Sequence, residues 1–201
     1  HPWDPPEFEG IHHIPEDFGG NGFCYNTEKM DKPETWADTL TEETKGRIGF
    51  PNWIGFVMAR NAVRAGYHFN SLGENHDEKV QDIYDMIRKE NEWVKTWWSS
   101  GSGMQDLLRT EQVDGGLLWY GRTYDMRTSE DLPLEYTIPT AQNAPVDIDM
   151  WLDTFQIPKG IGEEERYTAE RFLNWVLDPD NTQIKSEITP YGTTVPLPNP
   201  P

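Results

Sequence analysis

Two tryptophans and one carboxylate are the residues of this sequence whose types and spacing best suit ligand binding. Trp119 follows the apolar run 115–118, and Trp151 precedes Asp153 by two positions. Because side chains alternate across a strand, residues 151 and 153 are expected to share one face. Indole rings attract organic cations, and a carboxylate forms a charge-assisted hydrogen bond with an ammonium group. The pattern indicates a site for a small organic cation; the alternative is that both tryptophans belong to the core.

Alternating strands and helices are expected to position these residues. The predicted strands cover residues 19–26, 47–51, 93–98, 117–119, 134–138 and 146–155. The predicted helices cover residues 35–40, 53–65, 77–90, 104–110, 122–127 and 163–177. This alternation indicates an α/β layer with a largely parallel sheet. Because open α/β sheets place ligands at carboxyl strand ends, we expect Trp119 and Trp151 on one side of a sheet of about five strands.

The two ends of the sequence are expected to lie outside this layer. Residues 1–18 are rich in proline and acids and predict an extended lead-in. Residues 190–201 carry several prolines and predict an extended or disordered tail.

The charge balance is strongly acidic. There are 17 Lys and Arg against 35 Asp and Glu, which gives a formal charge of −18. Such a field repels phosphate backbones and anionic lipid, so nucleic acid and membrane surfaces are poor partners. It attracts cationic ligands; the alternative is a hydrated acidic surface of the kind useful in high salt. No apolar run approaches the ~20 residues that a membrane-spanning helix needs, so membrane insertion is not expected.

The sequence carries none of the motifs that identify common enzyme classes. It lacks a nucleophile elbow, a zinc-protease motif, a dinucleotide fingerprint and a P-loop. The single cysteine, Cys24, excludes an internal disulfide and lies in a run typical of a buried strand. We therefore expect a binding protein, not an enzyme, with no cofactor and no metal.

Several segments occur in the order in which one protein family carries them. The first contains Tyr25-Asn26-Thr27 within residues 15–28, and the next contains Trp36-Ala37-Asp38 within residues 35–40. The later ones are residues 45–51, Leu118-Trp119-Tyr120-Gly121, Met150-Trp151-Leu152-Asp153 with Ile157-Pro158, residues 169–179 and residues 191–196. In this order they resemble the extracellular solute-binding proteins of spermidine/putrescine-type ABC transporters.

The resemblance implies a fold and a division of the chain. The fold is a periplasmic binding protein type II lobe, an α/β lobe with a mostly parallel sheet flanked by helices, and the first lobe of the family is absent. Residues 1–26 would form a lead-in and the crossover strand, and residues 27–145 the second lobe. Residues 146–201 would form the return strand, the C-terminal helices and a Pro-rich tail that packs on the first lobe. The helix 163–177 is therefore expected to leave Phe172, Leu173 and Val176 less buried than their types suggest.

The resemblance also implies ligand-binding positions. In polyamine binders, the positions matching Trp119 and Trp151 stack on the ligand, and the position matching Asp153 pairs with an amine. Ser100 falls near a ligand-contacting loop position. Polyamine binders carry acids where this chain has Asn52-Trp53, so these two residues are included as candidates although the acids are missing.

The implied function is that of a substrate-binding component of an ABC importer. It would capture a small cationic metabolite, a polyamine or related amine, in a cleft between two lobes, and its partners would be ABC permease subunits. Its location would be periplasmic or extracellular, with a possible lipid anchor on the full-length precursor. The alternative is a secreted, Trp-rich carbohydrate-binding or carbohydrate-active protein that uses its tryptophans as stacking platforms.

Overall fold

A computed structural model describes residues 13–140 and 150–199 of the chain. The helices and strands fall into two compact units. The middle unit covers Gly20–Met150, and the terminal unit combines the chain up to Gly19 with Trp151–Pro201. Each unit is described by itself.

The elements follow the alternation that the sequence predicts, with differences at their ends. In the middle unit they are β2 (Gly22–Asn26), β3 (Ile48–Pro51), α1 (Ile54–Arg64), α2 (His76–Glu90), β4 (Val94–Trp98), α3 (Gly101–Arg109), β5 (Gly115–Leu118), α4 (Tyr120–Ser129) and β6 (Leu134–Thr137). In the terminal unit they are β1 (Ile14–Gly20), β7 (Met150–Phe155), α5 (Glu163–Val176), α6 (Pro179–Ile188) and β8 (Gly192–Thr193). Within the described ranges, no helix is both long and apolar enough to cross a membrane.

The sheet of the middle unit has five strands in the order β4-β3-β5-β2-β6. Strand β3 runs parallel to β4 and β5, whereas β2 runs antiparallel to β5 and β6. The expected α/β class with flanking helices is confirmed, but the sheet is mixed and not largely parallel. The reason is that β2 pairs with β5 and β6 through the antiparallel registers Gly22↔Leu118 and Asn26↔Leu134.

Two apolar clusters cover the two faces of this sheet. Leu117 and Leu118 are adjacent in β5 and therefore point to opposite faces. Leu118 packs in a cluster with Met104 of α3 and Met126 of α4. Leu117 packs in the other cluster with Phe50 of β3 and with partners that include Trp36 and the half-buried Phe56 of α1. The sheet is thus a central layer between helices, and its strand ends are held in fixed positions.

A buried ionic network fixes α1, the helix that follows β3. Arg60 is 1% exposed and Glu90 is 2% exposed. The Glu90 carboxylate accepts hydrogen bonds from Arg60 and Arg64 and from the side-chain amide of Asn61. The Arg60 guanidinium lies 4.1 Å from the ring centroid of Phe50. Burial, followed by the charge of Arg60, lowers the pKa of Arg64 to about 10. The network ties α1 to α2 and to β3, and so it orients the turn between β3 and α1.

The terminal unit has a sheet of its own in the order β7-β1-β8. Strand β8 pairs antiparallel with β1, with Asp17 opposite Thr193 and Phe18 opposite Gly192. Within the extended lead-in, Ile14–Gly20 forms strand β1, and within the extended tail, Gly192–Thr193 forms strand β8. Both gain order because the two short segments pair with each other.

Three further differences concern single elements. Residues 35–40 form turns instead of a helix, and Thr35 makes an isolated bridge to Thr140. After the predicted helix 163–177 a further helix, α6, was not predicted; the Asp178 side chain caps it by accepting from the amides of residues 180 and 181. Strand β7 begins at Met150, and the predicted strand residues 146–149 lie outside the described residues.

Helix α5 leaves much of its apolar surface in solvent. Phe172 and Trp175 are exposed by 51% and 60%, and Tyr167 by 64%. The expected exposure is therefore found at Phe172. The prediction of exposure is wrong for Leu173, which is 7% exposed and borders a cavity between β7 and α5.

Candidate functional site

Three tryptophans lie at the carboxyl ends of the parallel strands. Trp53 follows the end of β3 and directly precedes α1, Trp98 is the last residue of β4, and Trp119 follows β5 and directly precedes α4. Because β3, β4 and β5 run in the same direction, their carboxyl ends meet at one edge of the sheet. That edge is where open α/β sheets bind ligands.

The three indoles and Phe56 form an aromatic cluster at this edge. The ring centroids of Trp53 and Trp119 are 5.4 Å apart with planes inclined by 34°. Trp98 lies 5.6 Å from Trp53 and 5.8 Å from Trp119, in edge-to-face arrangements with both. Phe56 of α1 meets the ring of Trp119 at 6.3 Å. Pairs of this kind each contribute about 0.5–1.5 kcal/mol beyond their buried area.

The three tryptophans of the cluster differ in how much of each side chain is exposed to solvent. Trp98 is 4% exposed, whereas Trp53 is 41% exposed and Trp119 is partly exposed. Trp98 is thus a core residue on which the other two rings rest. Trp53 and Trp119 present indole surface that a ligand can reach.

Asn52 and Ser100 lie beside the cluster, after β3 and β4. The backbone N–H of Asn52 donates to the carbonyl of Trp98 at 2.9 Å, and the Asn52 side chain is exposed. The Ser100 hydroxyl oxygen caps α3 by accepting from the amide of Gly103 at 3.1 Å. Ser100 therefore has a structural role as well as its predicted position at the ligand edge.

Arg122 also reaches this edge, although it was not predicted as a site residue. Its guanidinium lies 5.9 Å from the ring centroid of Trp119, and its Nη1 donates to the Gln105 side-chain oxygen at 3.0 Å. A side chain at Gly101 would collide with the guanidinium. The position of Arg122 three residues after Trp119, in the first turn of α4, is the signal that could have identified it.

Trp151 and Asp153 do not belong to the five-stranded sheet. The expectation that Trp119 and Trp151 lie on one side of a single sheet is wrong, because β7 pairs with β1 in the sheet of the terminal unit. The Trp151 ring covers Gly19 of β1, where a Cβ would lie 2.6 Å from Cζ2 of the indole. The ring of Tyr191 meets it edge to face at 4.9 Å. The indole Nε1 is buried and finds no acceptor among the described residues.

Asp153 is a carboxylate without an ion pair. None of the ion pairs in the described residues includes it, and its side chain is exposed. Partial burial raises the pKa of Asp153, and the charge of Asp17 raises it further, while Lys185 acts in the opposite direction. Lys185 is already engaged, since its ammonium lies 2.8 Å from the Asp17 carboxylate and also contacts Glu16. The Asp153 carboxylate therefore lies in a locally acidic environment in which an added cation would be favoured.

A cavity of about 650 Å³ in the terminal unit contains none of these residues. It lies between the end of β7, the loop 157–161 and α5. Its wall is formed by apolar residues such as Phe155 and Leu173 together with Arg166 and Glu170. The Glu170 carboxylate of this wall is paired with Arg166 at 2.8 Å. Accessible indole surface in the middle unit and an unpaired carboxylate in the terminal unit are found at the predicted residues, which therefore remain the candidates.

The sequence matches the family model for bacterial extracellular solute-binding proteins over residues 10–197. Among curated proteins, none matches the chain. The fold is similar to that of the spermidine/putrescine ABC transporter substrate-binding protein PotD from Streptococcus pneumoniae, with a TM-score of 0.70 and 24% identity over 90% of this chain and 53% of that one. A second similar structure is an ABC transporter substrate-binding protein from Bradyrhizobium japonicum, with a TM-score of 0.74 and 19% identity over 97% of this chain and 57% of that one.

A third similar structure is a GABA receptor, with a TM-score of 0.69 and 17% identity over 95% of this chain and 56% of that one. At these identities the likeness concerns the fold. The chain spans about half the length of each of these structures.

Proposed function

Since this chain belongs to the bacterial extracellular solute-binding protein family, we propose that it is the ligand-capturing component of an ABC importer and that its ligand is a small organic molecule with a cationic amine. Capture requires no covalent chemistry. The role of the protein is to bind the ligand outside the membrane, in a periplasmic or extracellular location, and to present it to ABC permease subunits.

The observation that carries the amine assignment is the environment of Asp153. Its carboxylate has no ion-pair partner among the described residues, and its pKa is raised by partial burial and by the charge of Asp17. An ammonium group at this position would receive a charge-assisted hydrogen bond and reduce the repulsion between the two acids. The nearby indole of Trp151 offers a face to the methylene groups next to the amine.

The aromatic cluster of the middle unit supports the same proposal. Trp53 and Trp119 keep indole surface accessible while Trp98 fixes them from below. Rings held in this way lose little conformational freedom when a ligand stacks on them. We propose that Trp53, Trp119, Asn52 and Ser100 form a ligand-binding surface of the middle unit. We also propose that Trp151 and Asp153 form one in the terminal unit.

A polyamine is the more specific ligand within the proposed class of small organic amines. PotD is a spermidine/putrescine binding protein, and another structure of similar fold is a GABA receptor. Spermidine, putrescine and GABA share an amine and differ in their second group. By the family resemblance, Asn52 and Trp53 stand where polyamine binders carry acids, so a second ammonium group would lack its counter-charge at these two residues.

The organisation of the chain leads to a related proposal. The apolar side chains that α5 leaves in solvent, Tyr167, Phe172 and Trp175, would pack against the first lobe in the full-length protein. Hydrogen exchange of α5 tests this, since the amides of residues 167–175 should exchange more slowly in the full-length protein than in residues 1–201 alone. Equal exchange in both would contradict it.

Calorimetric titration of the full-length protein tests the proposed function. The panel contains primary amines with different second groups and neutral oligosaccharides. We expect saturable binding of at least one amine and no heat from the sugars. Tighter binding of a neutral sugar than of any amine would contradict the proposal and would instead favour the carbohydrate-binding alternative, which the family membership does not favour.

A further inference from the structure

Strands β1 and β7 of the terminal unit are adjacent and run antiparallel. They are neighbours in the sheet β7-β1-β8. Gly19, near the end of β1, lies against the ring of Trp151, near the start of β7. His13, just before β1, contacts the side chain of Gln156, just after β7, at 2.7 Å. Because the end of one strand meets the start of the other, the two run in opposite directions, and residue 17 lies opposite residue 153.

The residues at these opposite positions are both acids, Asp17 and Asp153. Side chains at opposite positions of antiparallel strands have Cβ atoms about 4.5–5.5 Å apart, and like charges placed in this way repel each other. Asp17 is 7% exposed, and its Oδ1 has no hydrogen-bond partner among the described residues. On the other side of Asp17, β8 presents Thr193, which carries no charge. A cation for the two acids therefore has to come from outside the sheet.

Lys185 of α6 is the cation that the fold supplies. Its ammonium lies 2.8 Å from Oδ2 of Asp17 and also contacts Glu16. In the part of the chain that the structure describes, no other lysine or arginine forms an ion pair with Glu16, Asp17 or Asp153. Burial raises the pKa of Asp153 and the charge of Asp17 raises it further, while the charge of Lys185 lowers it. One internal ammonium thus acts on three carboxylates.

We propose that Lys185 is an internal competitor of the ligand's ammonium group and lowers the affinity of the Asp153 carboxylate for cations. The inference rests on the proposed function, in which Asp153 holds the amine. A fixed ammonium beside Asp17 cancels part of the attraction that the two opposite acids exert on a second ammonium. A protein that hands its ligand to a permease must also release it, and a weaker site releases its ligand faster.

Two substitutions change the charge of this group in opposite directions. Lys185→Gln removes the internal cation, whereas Asp17→Asn removes an acid and leaves the cation without this partner. The double variant removes both charges, and Lys185→Arg keeps the cation. Arg166→Gln is the matched control, because it removes a cation that is paired with a different acid of the same unit, Glu170. Circular dichroism confirms that each variant is folded.

The first measurement is calorimetric titration of the full-length protein with butylamine and with putrescine at about pH 8, well above the ordinary pKa of a carboxyl group. We expect both amines to bind about tenfold more tightly to Lys185→Gln and about tenfold more weakly to Asp17→Asn, the order expected for one unit charge at short range. The double variant, Lys185→Arg and Arg166→Gln should bind within about threefold of the unchanged protein.

The second measurement requires no ligand and uses the same full-length proteins. NMR of the side-chain carboxyl carbons gives the pKa of Asp153 in each variant. Because a nearby cation favours the ionised carboxylate and a nearby acid opposes it, this pKa should be higher in Lys185→Gln and lower in Asp17→Asn than in the unchanged protein. If Lys185 only held α6 in place, its loss would weaken amine binding and would not shift this pKa.

The possible results separate this proposal from the proposed function. Unchanged or weaker amine binding in a folded Lys185→Gln variant would overturn the competitor role and leave the amine-binding function in place. If Lys185→Gln did not fold, Asp17→Asn would decide, since unchanged or tighter binding there would overturn the role as well. An Asp153 pKa that both variants left unchanged would also overturn it. If neither amine bound any of the proteins, the amine-binding function would fail and the competitor role with it.

Discussion

The indole rings of Trp53 and Trp119 lie 5.4 Å apart and are inclined by 34°, although they follow strands that are distant in the sequence. They meet because β3 and β5 are parallel neighbours and each strand is followed at once by a helix. Trp98 at the end of β4 supports both rings from the core. The same strand arrangement thus brings the three rings together and determines how deeply each ring is buried.

Replacing Trp98 or Trp53 by alanine should separate stability from binding. Trp98→Ala removes a side chain that is only 4% exposed, and we expect it to lower the free energy of unfolding by about 3–5 kcal/mol. Trp53→Ala removes a side chain that is 41% exposed, and its main effect should be weaker ligand binding by about 1–2 kcal/mol. Urea denaturation and calorimetric titration measure the two quantities. Equal losses of stability in both variants would show that Trp53 is also a core residue.

Two glycines in the middle unit should respond in opposite ways to alanine. A Cβ at Gly116 would collide with the carbonyl oxygen of Gly49 and with Met104, and Gly116→Ala should destabilise the fold by about 1–3 kcal/mol. A Cβ at Gly55, in the first turn of α1, meets nothing within 4 Å. Gly55→Ala should therefore stabilise the protein by about 0.5–1 kcal/mol. Thermal unfolding of the two variants measures this, and a stable Gly116→Ala variant would contradict the close approach of β3 and β5.

Binding of an amine should depend on the protonation of Asp153. The ordinary pKa of this carboxyl is 3.8, and partial burial and Asp17 raise it in the fold. An ammonium ligand binds the ionised carboxylate, so affinity should fall as the pH decreases through the raised pKa, and binding near that pH should release protons. Calorimetry over a pH series in two buffers of different ionisation enthalpy measures both effects. The Asp153→Asn variant is the control, and it should lose this part of the pH dependence.

Short-range patterns in the sequence were enough to predict most elements of the middle unit. The helical spacing of Val80, Ile83 and Ile87 predicted α2. The predicted helix 104–110 covers most of α3, which begins three residues earlier, at Gly101. Trp119 was placed correctly at the end of β5, because an apolar run ends there. These signals are local and follow the period of each element.

The parts that the sequence did not predict depend on pairing between distant segments. Strand β1 and strand β8 are short and become ordered by pairing with each other, at Asp17↔Thr193. Pairing of β7 with β1 places Trp151 in a sheet different from that of Trp119, although both tryptophans end apolar runs. Arg122 was missed because α4 begins at Tyr120, two residues before the predicted start, and this start brings residue 122 beside Trp119.

The most direct test of the account is the affinity of the full-length protein for an amine ligand before and after Asp153→Asn. The account predicts a loss of about 1.5–3 kcal/mol, the range for a hydrogen bond to a charged group. The matched control is Asp180→Asn, an exposed acid in the first turn of α6, which should leave the affinity unchanged. An Asp153→Asn variant that binds the amine as tightly as the unchanged protein would contradict the account.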